Sequence, residues 1–308
     1  MYLSSRTKAI AAIGFAGILG GVAPIFMKIA FKTFAPVEIT FLRYVFGILF
    51  FIPYAALSRK EVFKPENIPT YLICSLFYIA NIFLFIIGVQ YTTSTVSQLF
   101  YLLTPVFVSL ISFFLFRETL SSRKVLSIVC GVMGASLLIF RSVQAGALLS
   151  SIGSFRGNGM ITVGVIFWSL YIVYSKKKGK NIAPSAFIIW NFAACIFCSF
   201  FILKYNAVDP FSLFQRLLHA PVAVVLSIIT LGVLNSGAMV FLYQWAIKNT
   251  SSFAVSSATY LSPLSAAFFA IPFMGEKLSV TLGVSAFAIG VASYLIITDR
   301  KRKNINVV

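Results

Sequence analysis

Charge is the first scarcity. Only 10% of the 308 residues are Asp, Glu, Lys or Arg, and seven are acidic, against about 25% charged in soluble globular domains. So thin a polar complement cannot wet the surface of a soluble fold of this size, and a mean hydropathy of +0.96 leaves lipid as the solvent for most of the chain. Metal-binding and catalytic side chains are scarce as well: there is one histidine, His219, and four cysteines. Cys74, Cys130, Cys195 and Cys198 all fall inside apolar runs, where a thiol packs as a small hydrophobe and implies no disulfide framework. Cys195-x-x-Cys198 has redox or metal spacing, but no second ligand pair lies near it, so neither a metal site nor a cofactor is expected.

Two further absences bear on function. Glu61, Glu66, Glu118, Asp209, Glu276 and Asp299 fall at loops or helix ends and Glu38 near a boundary, so no carboxylate sits at mid-membrane. Proton or sodium coupling commonly relies on such a group, and facilitated diffusion or exchange is therefore the simpler expectation. Despite the net charge of +18 there is no basic stripe on a soluble fold and no nucleic-acid motif. The cations cluster between apolar runs, where they mark topology and meet anionic lipid heads.

What is present is a series of apolar runs between breakers. They predict ten helices, at 9–31, 37–57, 69–90, 94–116, 123–140, 158–176, 184–204, 221–246, 250–272 and 278–298. At about 20 residues per crossing they use roughly 200 residues and leave about 100 for connections and tails, no stretch of which exceeds about 20 residues, so no soluble domain is expected. Arg6 and Lys8 precede the first run, which is too long for a secretory signal and lacks a small-x-small end, so it is expected to be retained. With the N-terminus inside, 17 Lys and Arg fall on the cytoplasmic side, including Arg59, Lys60, Lys64, Lys176, Lys177, Lys178 and Arg300 to Lys303. Seven fall outside, namely Lys28, Lys32, Arg141, Arg156, Lys204, Arg216 and Lys277, while Arg43 lies within a helix. The asymmetry predicts a multi-pass protein of the cell membrane (inner or plasma membrane) with both termini cytoplasmic.

The most informative feature is an internal repeat. Thr92–Pro105 lies on Thr250–Pro263 at a constant offset of 158, and Arg117-Glu118-Thr119-Leu120 then lands on Gly275-Glu276-Lys277-Leu278. Earlier in each half, Ala35-Pro36 falls on Ala183-Pro184 at an offset of 148. Two copies of a five-helix unit explain these matches. Because five is odd, the second copy enters the membrane from the opposite side. The expected fold is an all-α integral membrane protein of ten transmembrane helices in two inverted-topology five-helix repeats, residues 1–145 and 155–303.

Those residues carry a family likeness. The segment Phe41-Leu42-Arg43-Tyr44, the pair Leu103-Thr104-Pro105-Val106 and Leu261-Ser262-Pro263-Leu264, and the Glu118-x-Leu120 and Glu276-x-Leu278 exits resemble the EamA-type ten-helix branch of the drug/metabolite transporter superfamily. The resemblance spans essentially the whole chain and departs at Asn191, which stands where the first half has Arg43. It implies a basket of helices around a central cavity, with helices 5 and 10 nearer the edge.

Intramembrane polar residues suggest where that cavity lies. Ser94, Gln98, Tyr101 and Pro105 share one face of helix 4, and Ser252, Ser256, Thr259 and Pro263 are their partners on helix 9. Lipid disfavours such faces and a water-filled centre does not, so Gln98, Tyr101, Ser256 and Thr259, with Tyr260 beside them, are candidate substrate contacts. A serine or threonine that bonds back to its own helix is the plainer alternative. Trp168 with Tyr171, and Tyr78 with Asn81, are spaced i, i+3 and could supply flat rings and an amide to a pocket, as could Asn235. Trp190 and Trp245 read as packing or interface residues. Arg43 could snorkel outward, hold a substrate carboxylate, or bond between helices. Pro24, Pro105 and Pro263 remove backbone donors inside apolar runs, and the equivalent pair Pro105 and Pro263 suggests two hinges. Glu118 and Glu276 suit the N-terminal dipoles of the helices that follow.

The function this favours is transport of a small-molecule substrate, amino acids or related compounds, by alternating access. Nucleoside-like or S-adenosylmethionine-like uptake or exchange, and drug export, are the alternatives. A membrane-embedded enzyme would need the acid-base cluster that is missing, and a channel would call for a charged ring.

Overall fold

The computed structural model describes residues 5–57, 62–92, 94–118, 121–144, 154–179 and 181–274, with scattered positions between 284 and 295. Every described element is helical. Helices α1 (Ser5–Ala30), α2 (Pro36–Leu57) and α3 (Ile68–Gln90) are followed by two short ones, α4 (Ser94–Tyr101) and α5 (Thr104–Phe116), and then by α6 (Ser122–Gln144). The second half brings α7 (Phe155–Lys178), α8 (Pro184–Tyr205), α9 (Ser212–Leu218), α10 (Val222–Thr230) and α11 (Met239–Asn249), then α12 (Ser252–Ser256) and α13 (Leu261–Met274). A π-helical segment, Leu231–Ala238, joins α10 to α11, and a 3₁₀ turn, Ser257–Tyr260, joins α12 to α13.

Six described helices are long and apolar enough to cross a membrane: Thr7–Ala30, Pro36–Tyr54, Pro65–Gln90, Phe155–Lys178, Pro184–Tyr205 and Val222–Asn249. Their outer faces carry exposed Phe15, Phe50, Leu76, Phe197 and Phe201, while Arg43, Asn81, Gln98, Asn191, Asn235 and Gln244 are buried. That arrangement, apolar outside and polar within, suits a protein dissolved in lipid. The predicted tenth helix and Glu276 lie outside the described residues apart from scattered positions, as does Glu61.

Local chemistry explains where the helices begin. Pro36 and Pro184 each stand at the first helical position, where the missing N–H costs nothing. Glu38 caps its own helix, accepting from the Ala35 N–H at 2.8 Å. Ser154 and Ser251 accept from Gly157 and Ala254 at 3.0 and 3.1 Å and so start α7 and α12.

Two predicted helices come out broken. The run 94–116 divides at Leu102 and Leu103, and 250–272 passes through the 3₁₀ turn. Pro105 and Pro263 therefore stand in the first turn of a new helix, where the sequence placed them inside a continuous one. Pro105 cannot donate to the carbonyl four residues back, which is that of Tyr101. The Thr104 hydroxyl takes that acceptor instead, at 2.5 Å. In the second half the equivalent Ser262 turns away and donates to Gly17 of α1 at 3.0 Å. Gly17 and Gly21 let α1 lie directly on this segment: a Cβ on Gly17 would sit 2.3 Å from the Ala258 oxygen, and one on Gly21 2.2 Å from the Ser262 oxygen.

The two halves meet through matched contacts. α3 packs along α7, α1 along α10 and α11, and α2 along α8. Lys28, at the end of α1, donates to the carbonyls of Val89 and Thr92 at 2.7 and 2.8 Å, closing the C-terminus of α3. Lys176, at the end of α7, donates to the carbonyl of Ile247 and closes the C-terminus of α11. The Ser154 N–H donates to the Tyr91 oxygen at 2.8 Å, so α7 starts beside the end of α3 and finishes at the opposite end of the bundle. The two lysines thus cap opposite ends. Glu118, read from sequence as a dipole partner, pairs with Lys177 at 3.0 Å. The stretch 205–220, expected as a connection, contains α9, whose Leu213 and Leu217 are buried and whose Phe214 meets Phe41 edge-on at 6.3 Å.

Candidate functional site

A cavity lies where the broken helices, α1 to α3, α7 and the π segment converge. Its volume is about 80 Å³, several times the 10–15 Å³ that holds one water and below the several hundred typical of organic-ligand sites. A ring-sized solute needs more room than this.

Polar groups reach it from many directions. α2 contributes Arg43, α3 Tyr78 and Asn81, and α4 Gln98 and Tyr101; Thr259 and Ser262 come from the second broken segment. The π segment presents Asn235 and Ser236. Its tight approach to α2 is a glycine contact, since a Cβ on Gly232 would stand 2.2 Å from the Arg43 carbonyl oxygen. A π turn carries one residue more than an α turn, which re-aims the side chains that follow it. Here those are Asn235 and Ser236.

Arg43 is 3% exposed. Its Nη2 donates to the Tyr44 hydroxyl at 2.6 Å, and Tyr44 donates on to Tyr78 at 3.1 Å. The guanidinium carbon stands 4.6 Å from the Tyr44 ring centroid. Asn81 donates to the Tyr101 hydroxyl at 2.6 Å and to the Gly164 carbonyl at 2.9 Å, tying α3 to α4 and α7. Behind this layer lies a second network: Ser75 donates to Asn191 at 3.0 Å, and Asn191 and Gln244 both donate to the Tyr171 hydroxyl, at 2.9 and 2.6 Å. The rings form a connected wall, with Trp168 stacked on Tyr171 at 5.3 Å and edge-on to Tyr243 at 5.2 Å.

Of the residues singled out from sequence, Gln98, Tyr101, Thr259, Trp168, Tyr78, Asn81, Asn235 and Arg43 line the cavity. Arg43 points inward, and snorkelling is not what it does. Three others do not reach the cavity. Ser256 bonds back to the Phe253 carbonyl at 2.7 Å, the plainer behaviour of a helical serine. Tyr260 turns away because the 3₁₀ turn rotates it toward α6, where its ring occupies the space a Cβ on Gly131 would need. Tyr171 stands one layer back, held by Asn191 and Gln244. Pro105 lines neither wall and sits buried at the break, as does Pro263. Sequence reasoning missed Tyr243 and Met239, which follow Asn235 at steps of four, and Gly20, Ala23 and Met27 of α1. The i, i+4, i+8 spacing of Asn235, Met239 and Tyr243 was a usable signal. The α1 face was not, because small residues recur all round that helix.

Comparison with known proteins adds to this geometry. Residues 7–140 and 155–298 each match the model of the EamA-like transporter family. The uncharacterized transporter YetK of Bacillus subtilis (strain 168) is 30% identical over 222 residues, covering 68% of this chain and 59% of that protein. An uncharacterized transporter of Clostridium kluyveri is 22% identical over 87% of this chain and 86% of its own length. A WAT1-related protein of Arabidopsis thaliana is 23% identical over 89% of this chain and 82% of its own. A crystal structure covers 94% of this chain and 96% of its own with a TM-score of 0.70 and 17% identity, a likeness of fold.

Proposed function

The chain belongs to the EamA-like transporter family, and from that premise we propose that it carries small metabolites, amino acids or related compounds, by alternating access of two inverted five-helix halves, residues 1–145 and 155–303. It is a multi-pass membrane protein of that family, and membrane lipid surrounds it. The observation that carries the alternating-access reading is the pair of lysine caps. Lys28 and Lys176 are separated by the repeat offset of 148, and their acceptors Val89 and Ile247 by the offset of 158. The same bond therefore recurs at opposite ends of the bundle, as an inverted repeat requires. Two equivalent helix-end contacts suit an alternating carrier, in which one parts while the other holds.

In this reading Gln98, Tyr101, Thr259, Asn81 and Asn235 contact the substrate, Tyr78 and Trp168 flank it, and Pro105 and Pro263 begin the segments that rock. None of the described carboxylates lines the cavity, which favours facilitated diffusion or exchange over ion coupling. Reconstituted protein tests the reading. Proteoliposomes preloaded with unlabelled amino acids are expected to accumulate labelled amino acid transiently by exchange, without a pH gradient. Uptake that does not respond to preloading would indicate a channel. Both termini are placed in the cytoplasm, so reporter fusions active only outside the cytoplasm are expected to be silent at either end.

A further inference from the structure

Four of the seven carboxylates lie among the described residues, and each already faces another cation. Glu38 takes Arg216 at 2.6 Å, Glu66 takes Lys64 at 3.3 Å, and Glu118 and Asp209 take Lys177 and Lys204, both at 3.0 Å. None of them pairs with Arg43. The buried guanidinium has a tyrosine hydroxyl and a ring face for company, and its Nε finds no acceptor. A guanidinium keeps its proton in any such setting, and a buried charge with unmatched donors is strongly disfavoured until an anion completes it.

Two more unmatched atoms stand on the adjoining wall. Asn235 spends its amide N–H on the Leu19 carbonyl, while its Oδ1 has no donor, and the Ser236 hydroxyl is likewise unpartnered. Both residues line the same cavity as Arg43, and Gly232 brings their segment onto the Arg43 backbone. Much of the remaining wall is aromatic, with Tyr78, Phe85, Tyr101, Trp168 and Tyr243.

We propose that this cavity selects organic monoanions with a flat apolar body: the carboxylate, or a comparable planar anion, meets Arg43, and a neutral N–H or O–H at the other end donates to Asn235. The proposal rests on the carrier reading and, within its small metabolites, favours plain organic anions over the zwitterionic amino acids. A planar fork suits a carboxylate, flat rings hold an aromatic body at low entropy cost, and Asn235 is an acceptor in want of a donor. A zwitterion fits less well than a plain anion. Its ammonium would find no described carboxylate on these walls and would feel the repulsion of Arg43.

A charge series on one ring tests this with the full-length protein in detergent and in proteoliposomes. The probes are 4-hydroxybenzoate, 4-hydroxybenzamide and 4-hydroxybenzylamine at pH 7, which differ in charge and share a phenol donor. The anion is expected to bind about 10- to 100-fold more tightly than the amide, the range for a hydrogen bond to a charged group, and the amine more weakly still. Benzoate, which lacks the donor, is expected to bind about three- to tenfold more weakly than 4-hydroxybenzoate. In Arg43→Gln the anion-to-amide ratio is expected to fall toward one while amide binding persists. If that variant does not fold, the wild-type series decides alone.

Equal binding of the three probes, preference for the amine, or loss of anion binding to millimolar chloride would overturn the proposal, the last by making a resident inorganic ion the partner of Arg43. Anion binding without uptake would sink the carrier reading and leave the anion site standing. Uptake of amino acids with no preference for the anion would do the reverse.

Discussion

Arg43 and Asn191, related by the sequence offset of 148, do different things. Arg43 borders the cavity, while Asn191 is fully buried and links Ser75 to Tyr171. Its neighbour Phe192 packs on Tyr44 at 4.9 Å, so the two positions meet near the centre of the bundle. Replacing Asn191 with Leu strands the Ser75 hydroxyl in a buried, water-poor layer. The expected loss is about 1–3 kcal/mol against thermal unfolding in detergent. Adding Ser75→Ala to that variant is expected to recover part of it, because the stranded group is then removed. A double-mutant cycle that is simply additive would argue that the two side chains do not interact.

The broken helices turn on single backbone acceptors. With alanine at 105 the N–H returns to the Tyr101 carbonyl, and the Thr104 hydroxyl is no longer needed there. Pro105→Ala is expected to let α4 run on into α5 and to slow exchange at least about threefold. Unchanged exchange would mean that the break is not a moving part. The two broken segments differ in their supports, Thr104 bonding within its own chain segment and Ser262 bonding across to α1. On that basis Ser262→Ala is expected to loosen α1, a consequence that Thr104→Ala lacks.

For the whole molecule, the proposed alternating access makes the lysine caps weights on the balance between two ends. A cation on C-terminal carbonyls contributes about 0.3–1 kcal/mol when exposed and up to about 2 kcal/mol when partly buried. Removing one cap shifts an equilibrium between states open at either end by about fivefold for about 1 kcal/mol. Lys28→Met is therefore expected to favour the state open at its own end, and Lys176→Met the opposite state. The readout is labelling of a cysteine at cavity position Ala23 by an impermeant reagent applied from each side, in a cysteine-free background. The double variant is expected to restore the wild-type balance. Equal effects of both single variants on the same side would contradict the inverted arrangement.

The solvent, the helical class and the family follow from the order of the residues. Twenty-residue apolar runs can satisfy their backbone in lipid only as helices, and a repeat offset is a property of the string of letters. It also pointed to Gln98, Asn81, Asn235 and Arg43, since a polar side chain in such a run has few places to go. Tertiary structure alone decided which way each of these turned. Arg43 faces inward, where the Tyr44 hydroxyl accepts from its guanidinium. Tyr260 faces away because a 3₁₀ turn changes the angular step per residue, and with it the face on which its side chains emerge, while Ser256, just before that turn, bonds back to the Phe253 carbonyl. Hydrophobic periodicity assumes a uniform helix, so it is blind to such a change, just as it is blind to which distant carbonyl a lysine at a helix end will reach.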